Sequence, residues 1–257
     1  MRACSTAITA AQTALSCTPY VKFNLTAGTA TYNYTTRVLN LEHHEEPYNE
    51  FATVVLDNHD RGVSTGLVGA WVQPAYGYVT GNNVADSEGS ESAGNAASAE
   101  YSYTPRLWVK NQMELSSPGN VKTILELEGM WNVLKEAKWC SVSGATLAEF
   151  YFKDYGPLTT TAYDAMTALF AEKGFGLAAL GTEDDGIIDT TVISTQINGS
   201  PITDEFDDYA TIAYRLLGTT KCYLRSKAST ATSGTALGSV FKVIYPTSTT
   251  AVDETYY

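Results

Sequence analysis

With 257 residues, the chain has room for one large domain or two modest ones. Hydrophobic residues make up 44% of it, enough for a packed core and against global disorder. A net charge of −12 argues against a nucleic-acid-binding surface, which needs clustered Lys and Arg. The 17 tyrosines and abundant threonines tilt the expectation towards strands.

The start does not read as a signal peptide. Arg2 is its only basic residue, and Ala3–Ala14 is interrupted by Thr, Ser and Gln. No apolar run reaches the roughly 18 residues of a membrane span. Residues 3–16 (ACSTAITAAQTALS) form an Ala-rich, weakly amphipathic segment that suits a short helix, marginal alone. Ile8, Ala11 and Leu15 recur at spacings of three and four. That thin stripe predicts an arm that orders by docking on a neighbour.

From Pro19 to Glu128 the pattern is strand-like. Val21, Phe23 and Leu25 alternate with Lys22 and Asn24. Arg37–His43 and Phe51–Asp57 flank a Glu46-Pro47-Tyr48-Asn49 turn, which reads as a β-hairpin. The run from Leu67 to Val79 is broken by Pro74 into an edge strand or two short strands. Residues 80–100 are rich in Gly, Asn, Ser and acid, a solvated loop. Arg106–Val109 and Lys122–Glu128 are joined through Ser116-Ser117-Pro118-Gly119-Asn120, where Pro-Gly sets a turn. These strands close a first β domain near Trp131–Trp139.

Beyond Gly144 the period becomes helical. Thr161 caps a helix with Asp164 at its third position, and Gly174 ends it. A second helix is expected over Thr203–Leu217, with Asp204, Glu205, Asp207 and Asp208 in its first turn and Arg215 in its last. Strands at Thr220–Leu224 and Val240–Tyr245 flank a flexible 228–238 loop. The expected fold is thus α+β and β-rich, a barrel- or sandwich-like first domain before a mixed α/β second. Its divisions are an extension over 1–17, a β domain over 18–141 and an α+β domain over 142–257.

Candidate chemistry is thin. His43-His44-Glu45-Glu46 gathers metal-type donors, but neighbours on a strand point to opposite faces, so His43 and His44 cannot share one ion without a bulge. Asp57-Asn58-His59-Asp60 lacks the calcium-loop ladder and reads as a polar turn with Asx hydrogen bonds. Glu183-Asp184-Asp185-Gly186 with Asp189 reads as an acidic turn first and a cation or glycosidase site second. Cys4, Cys17, Cys140 and Cys222 have neither metal-knuckle nor redox spacing, and a Cys4–Cys17 bridge stays undetermined. Sequons at Asn24, Asn33 and Asn198 matter only in a eukaryotic secretory setting. There is no nucleophile elbow, P-loop or dinucleotide fingerprint, and Gly174-Phe175-Gly176 follows a helix instead of opening one. The residues therefore assign no catalytic, cofactor or metal site.

A set of ordered stretches resembles siphovirus-like phage tail proteins related to the tail hub, or baseplate hub, family. They are TPYVK (Thr18–Lys22), YTTRVLNLEHHEEPYNEFATVVLDNHD (Tyr34–Asp60), YGYVTG (Tyr76–Gly81), LWVK (Leu107–Lys110), LEGMW (Leu127–Trp131), TEDDGIID (Thr182–Asp189), YRLLGTTKCYLR (Tyr214–Arg225) and Val243–Tyr257 with VIYP and VDETYY. The resemblance covers nearly the whole chain from Thr18. It implies a hub-like, β-rich fold with helical elements and no catalytic residues. It also implies a virion structural protein that forms trimers or rings at the tail tip, contacts tail-tube, tape-measure or tip proteins, and serves host attachment. Neither a membrane anchor nor specific nucleic-acid binding is expected. Members of the group continue past the DETYY stretch, so this chain, ending at Tyr257, reads as shortened at its C-terminus, and its 228–238 stretch is longer than usual. The alternative from a different class is a carbohydrate-binding or carbohydrate-cleaving surface protein, using Trp71, Tyr76, Tyr78 and Trp108 to stack on sugars.

Overall fold

A computed structural model describes residues 6–80, 99–138, 161–180, 196–197, 200–201, 207–218, 220, 222–228 and 239–245. The chain is α+β and β-rich, with two compact units. The first is built mainly from Met1–His44 and Phe51–Glu128, and the second from Glu45–Glu50 and Gly129–Thr250. The expected division after residue 141 falls outside the described residues.

In the first unit, helix α1 (Thr6–Thr13) precedes the strands and lies beside β7 (Ala75–Val79). β7 joins β1 (Pro19–Lys22) and β8 (Ala99–Tyr103) in a three-stranded antiparallel sheet. The larger sheet has seven strands in the order β3 (Ala30–Asn33), β2 (Asn24–Ala27), β6 (Trp71–Val72), β9 (Leu107–Ser117), β10 (Asn120–Glu128), β5 (Asn49–Asp57) and β4 (Val38–Glu46). Two antiparallel sheets make this unit sandwich-like, as expected. The 19–25 strand is two strands, with Phe23 buried between them. The 67–79 run also becomes two, on either side of Gln73 and Pro74.

Alternation builds the core. On β5, Ala52, Val54 and Leu56 are buried while Phe51, Thr53 and Val55 face the other way. On β10, Thr123, Leu125 and Leu127 do the same. Ala52, Val54, Leu56, Leu125 and Leu127 join Phe23, Leu25, Val72, Leu107 and Val109 in one apolar cluster. Each fully buried side chain of this size contributes about 1.5–3 kcal/mol relative to exposure. Turn chemistry sets the register. Gly119 has φ +74° at the second position of the Pro118-Gly119 turn, where a Cβ would be strained, and Ser117 pairs with Asn120 across it.

In the second unit, α2 (Met130–Glu136) is a helix that the sequence pattern does not announce, at the point where the first β domain is expected to end, and it buries Met130, Trp131 and Leu134. Its partners explain the difference: Trp131 meets Phe241 edge-on, 6.1 Å between ring centres, a contact no local pattern announces. α3 (Ala162–Ala171) begins as expected, with Thr161 Oγ1 accepting the Asp164 N–H at 3.1 Å. α4 (Tyr209–Leu217) starts later than the expected Thr203. Asp208 is its cap, its carboxylate accepting the Thr211 N–H at 2.7 Å, because an Asx side chain competes with helical hydrogen bonds and prefers the boundary. Arg215 in its last turn pairs with Asp207. β14 (Tyr223–Ala228) and β15 (Ser239–Ile244) are antiparallel, and β11 (Gly176–Leu177) runs parallel to β15. β12 (Gln196–Ile197) and β13 (Ser200–Pro201) form a separate pair. The acidic turn at 183–189, Cys4, Cys140 and most of the 80–100 and 228–238 loops lie outside the described residues. Cys17 is an exposed thiol and Cys222 a buried one.

Candidate functional site

The β4–β5 hairpin carries the donors singled out in the sequence. Pro47 and Tyr48 form its turn, with Tyr48 at φ +63°. Its ring lies 4.7 Å from that of Trp131, and its hydroxyl accepts the Leu224 N–H at 3.1 Å. These contacts hold a left-handed backbone that a tyrosine otherwise avoids. Burial pushes the Tyr48 phenol above its ordinary pKa. His43 and His44 point to opposite faces, as strand alternation demands. The His44 ring stacks on Phe51 at 4.6 Å, whereas His43 Nδ1 lies 3.0 Å from the Tyr76 hydroxyl. One ligand-type atom each from His43, Glu45 and Glu50 lies within 4.8 Å of the others. A two-residue step along β4 and a cross-strand neighbour bring them together. That grouping is written in the sequence as an i, i+2 pair plus a cross-strand residue, which the run of adjacent donors His43-His44-Glu45-Glu46 does not contain. Acidic groups gather this way on many proteins without an ion, and Glu46 is not in the group.

The Asp57–Asp60 segment is the polar turn expected. Asp57 accepts the His59 N–H, and Asp60 accepts the Gly62 N–H. The Arg37 guanidinium donates to both Asp60 oxygens at 2.7 Å, holding that carboxyl well below the usual carboxylate range. Asn58 is the buried member. Its amide donates to Thr123 Oγ1 at 3.0 Å, and its carbonyl oxygen accepts the Val63 N–H at 2.9 Å.

The aromatic candidates are engaged within the first unit. Trp71 and Trp108 are directly cross-strand, and the Arg106 guanidinium sits 3.8 Å from the Trp71 ring centre. Burial lowers the Arg106 pKa. Tyr76 meets His43, and Tyr78 is half-buried opposite Pro19 and Glu100. Nearby, Lys22 Nζ donates to the Tyr101 hydroxyl at 2.8 Å. Burial, opposed by that ammonium, pushes the Tyr101 phenol up to about 12.

The remaining surface of note is the solvent side of β9, β10 and β5. Met113 is 39% exposed and Leu115 54%. Both belong to β9 beyond a register shift between Glu126 and Leu127. Across that shift Val109 opposes Leu127 on the core side, while Asn111 opposes Glu126 on the solvent side. The bulge therefore turns Met113 outward, where it sits opposite Ile124.

No family model and no curated protein matches the chain. Solved structures similar to it include the tail protein from Neisseria meningitidis MC58, at 9% identity and a TM-score of 0.47, covering 86% of this chain and 50% of that one. A chain of the lidded Francisella PdpA–VgrG complex is similar at 12% identity and a TM-score of 0.48, covering 93% of this chain and 31% of that one. The 43 kDa tail protein of prophage MuSo2 from Shewanella oneidensis is similar at 10% identity and a TM-score of 0.45, covering 86% and 54%. This chain thus spans about half the length of the two tail proteins and about a third of the VgrG-complex chain. At such identities and TM-scores the likeness carries no argument about what this chain does.

Proposed function

We propose that this chain is a structural protein of a phage tail, of the tail-tip or baseplate-hub kind. It acts by assembling with copies of itself, as a trimer or ring, and with tail-tube, tape-measure or tip proteins. The observation that carries this reading is where the family-like stretches fall. TPYVK supplies β1, the long Tyr34–Asp60 stretch supplies β4, its turn and β5, and YGYVTG supplies β7. LWVK opens β9, LEGMW joins β10 to α2, and YRLLGTTKCYLR spans α4 and β14. The shared stretches are the strands and turns of a framework, which is what a protein working through its surfaces must keep.

Two further features support it. Nine-residue β4 is an end strand of its seven-stranded sheet. Open edges of that length are normally blunted or covered, and assembly covers them. The net charge of −12 also suits the wall of a channel that passes DNA, because carboxylates repel phosphates. The carbohydrate alternative gains nothing from Trp71 and Tyr76, whose rings already serve Arg106 and His43.

Light scattering on the purified chain, alone and with tail-tube protein, tests the reading. A trimer, a ring or a joint complex is expected. A strictly monomeric species that joins neither ring nor tube overturns it.

A further inference from the structure

The solvent side of the β9–β10–β5 face has an order that matches itself. Along β10 the outward residues are Asn120, Lys122, Ile124, Glu126 and Glu128, and the middle three are a cation, an apolar centre and an anion. Each of these three has cross-strand neighbours on both sides. Ile124 lies between Met113 of β9 and Val55 of β5, giving an apolar row across three strands. Lys122 lies between Leu115 and Asp57, and Glu126 between Asn111 and Thr53. Asn111 Nδ2 donates to Glu126 at 3.3 Å, which holds that carboxylate on this face. Ile124 and Val55 are half-exposed, and Met113 and Leu115 more so.

We infer that this face is a two-fold contact between two copies of the chain, with the axis lying along the Met113–Ile124–Val55 row. That operator keeps each strand over itself and reverses position along it. Ile124 then meets Ile124 of the other copy, and Met113 and Val55 meet their own counterparts. Lys122 comes opposite Glu126 of the other copy, and Glu126 opposite Lys122, so the two ion pairs form together. The alternative two-fold, with its axis along the strands, sets Lys122 against Lys122 and Glu126 against Glu126, which repel. Charge order thus selects a second copy and one orientation. Two such sheets pack about 10 Å apart, a spacing that long Lys and Glu side chains bridge. The outward turn of Met113 at the bulge completes the row; in an unbroken register its position would face the core. A two-fold contact closes at two copies, so it is a second contact beside the one that builds a trimer or ring, pairing two chains or two such assemblies; it rests on the assembly reading only in needing self-association.

Sedimentation velocity on the full chain over a concentration series reads the contact directly. The wild type is expected to show a concentration-dependent pairing step, of single chains or of rings, with K122E and E126K each weakening that step about tenfold. The double variant K122E/E126K, which exchanges the signs but keeps the match, is expected to restore wild-type association. I124K is expected to abolish it, with circular dichroism confirming that each variant is folded. Because the charge exchanges sit on a solvent-facing side, loss and rescue together cannot come from unfolding. A wild type that stays monomeric in this series, or single reversals that leave association unchanged, overturns the inference. Rings or tube complexes that form equally well with all variants overturn this contact and leave the tail-protein reading standing. No association of any kind, alone or with tube protein, overturns both.

Discussion

At the residue scale, Asn58 shows how a side chain read as turn chemistry becomes a core element. It is 2% exposed and satisfies Thr123 and the Val63 N–H, while its own N–H bonds the Val121 carbonyl. Asn58→Ala leaves a buried hydroxyl and a buried N–H without that partner, and should cost about 2–3 kcal/mol in urea denaturation. Asp60 two residues on behaves differently because it is exposed. Its carboxyl is depressed in the fold by Arg37, and its unfolded value is about 4. A depressed carboxyl adds stability above the unfolded pKa and loses it as pH falls from there towards the folded value. Asp60→Asn should therefore flatten the fall in melting temperature between about pH 4 and pH 2, with the solvent-screened pair adding little elsewhere. The alternation argument against a shared His43–His44 site was sound. What it did not reach was the cross-strand partner: Glu50 joins His43 and Glu45 only through the hairpin register.

At the element scale, local signals were reliable where a turn or cap enforces them. The Pro47-Tyr48 and Pro118-Gly119 turns, the break at Pro74 and the Thr161 cap each act through a few neighbouring atoms. The α4 start was less legible, because four acids in a row offer several caps and only packing chooses Asp208. α2 was not legible at all; MWNVLKE is short, and its helix depends on burying Met130, Trp131 and Leu134. β7 holds the sharpest constraint among the strands. A Cβ on Gly77 would stand 1.8 Å from the Glu100 carbonyl oxygen of β8. Gly77→Ala should force those strands apart and cost about 3 kcal/mol or more, seen as a large drop in denaturation midpoint. Gly28→Ala is the contrast for that experiment, since nothing lies near its Cβ and only its φ of +59° opposes the change.

At the scale of the whole molecule, assembly is where the proposed function should be measured. The N-terminal arm is one surface proposed for it. α1 lies beside β7, yet Leu15 at its end is wholly exposed. Backbone amides over 6–16 should exchange fast in the free chain and slow sharply on assembly, and deletion of residues 2–16 should weaken assembly. If assembly is intact after that deletion, the arm is only a leader to β1. The arm and the β9–β10–β5 face act independently, because the 2–16 deletion removes one and the Lys122, Ile124 and Glu126 variants remove the other.

The sequence by itself determined the β-rich α+β class, the two hairpins, the turn residues and the absence of a membrane-length apolar run. All of these follow from period, from Pro and Gly backbone limits and from side chains that act within a few residues. Only the tertiary structure decided that Asn58 is buried, that Glu50 stands with His43 and Glu45, and that Met113 and Leu115 face outward. Those outcomes depend on strand register and on a bulge at Glu126/Leu127. Register is a property of two strands at once, and a one-residue shift reverses every side chain beyond it.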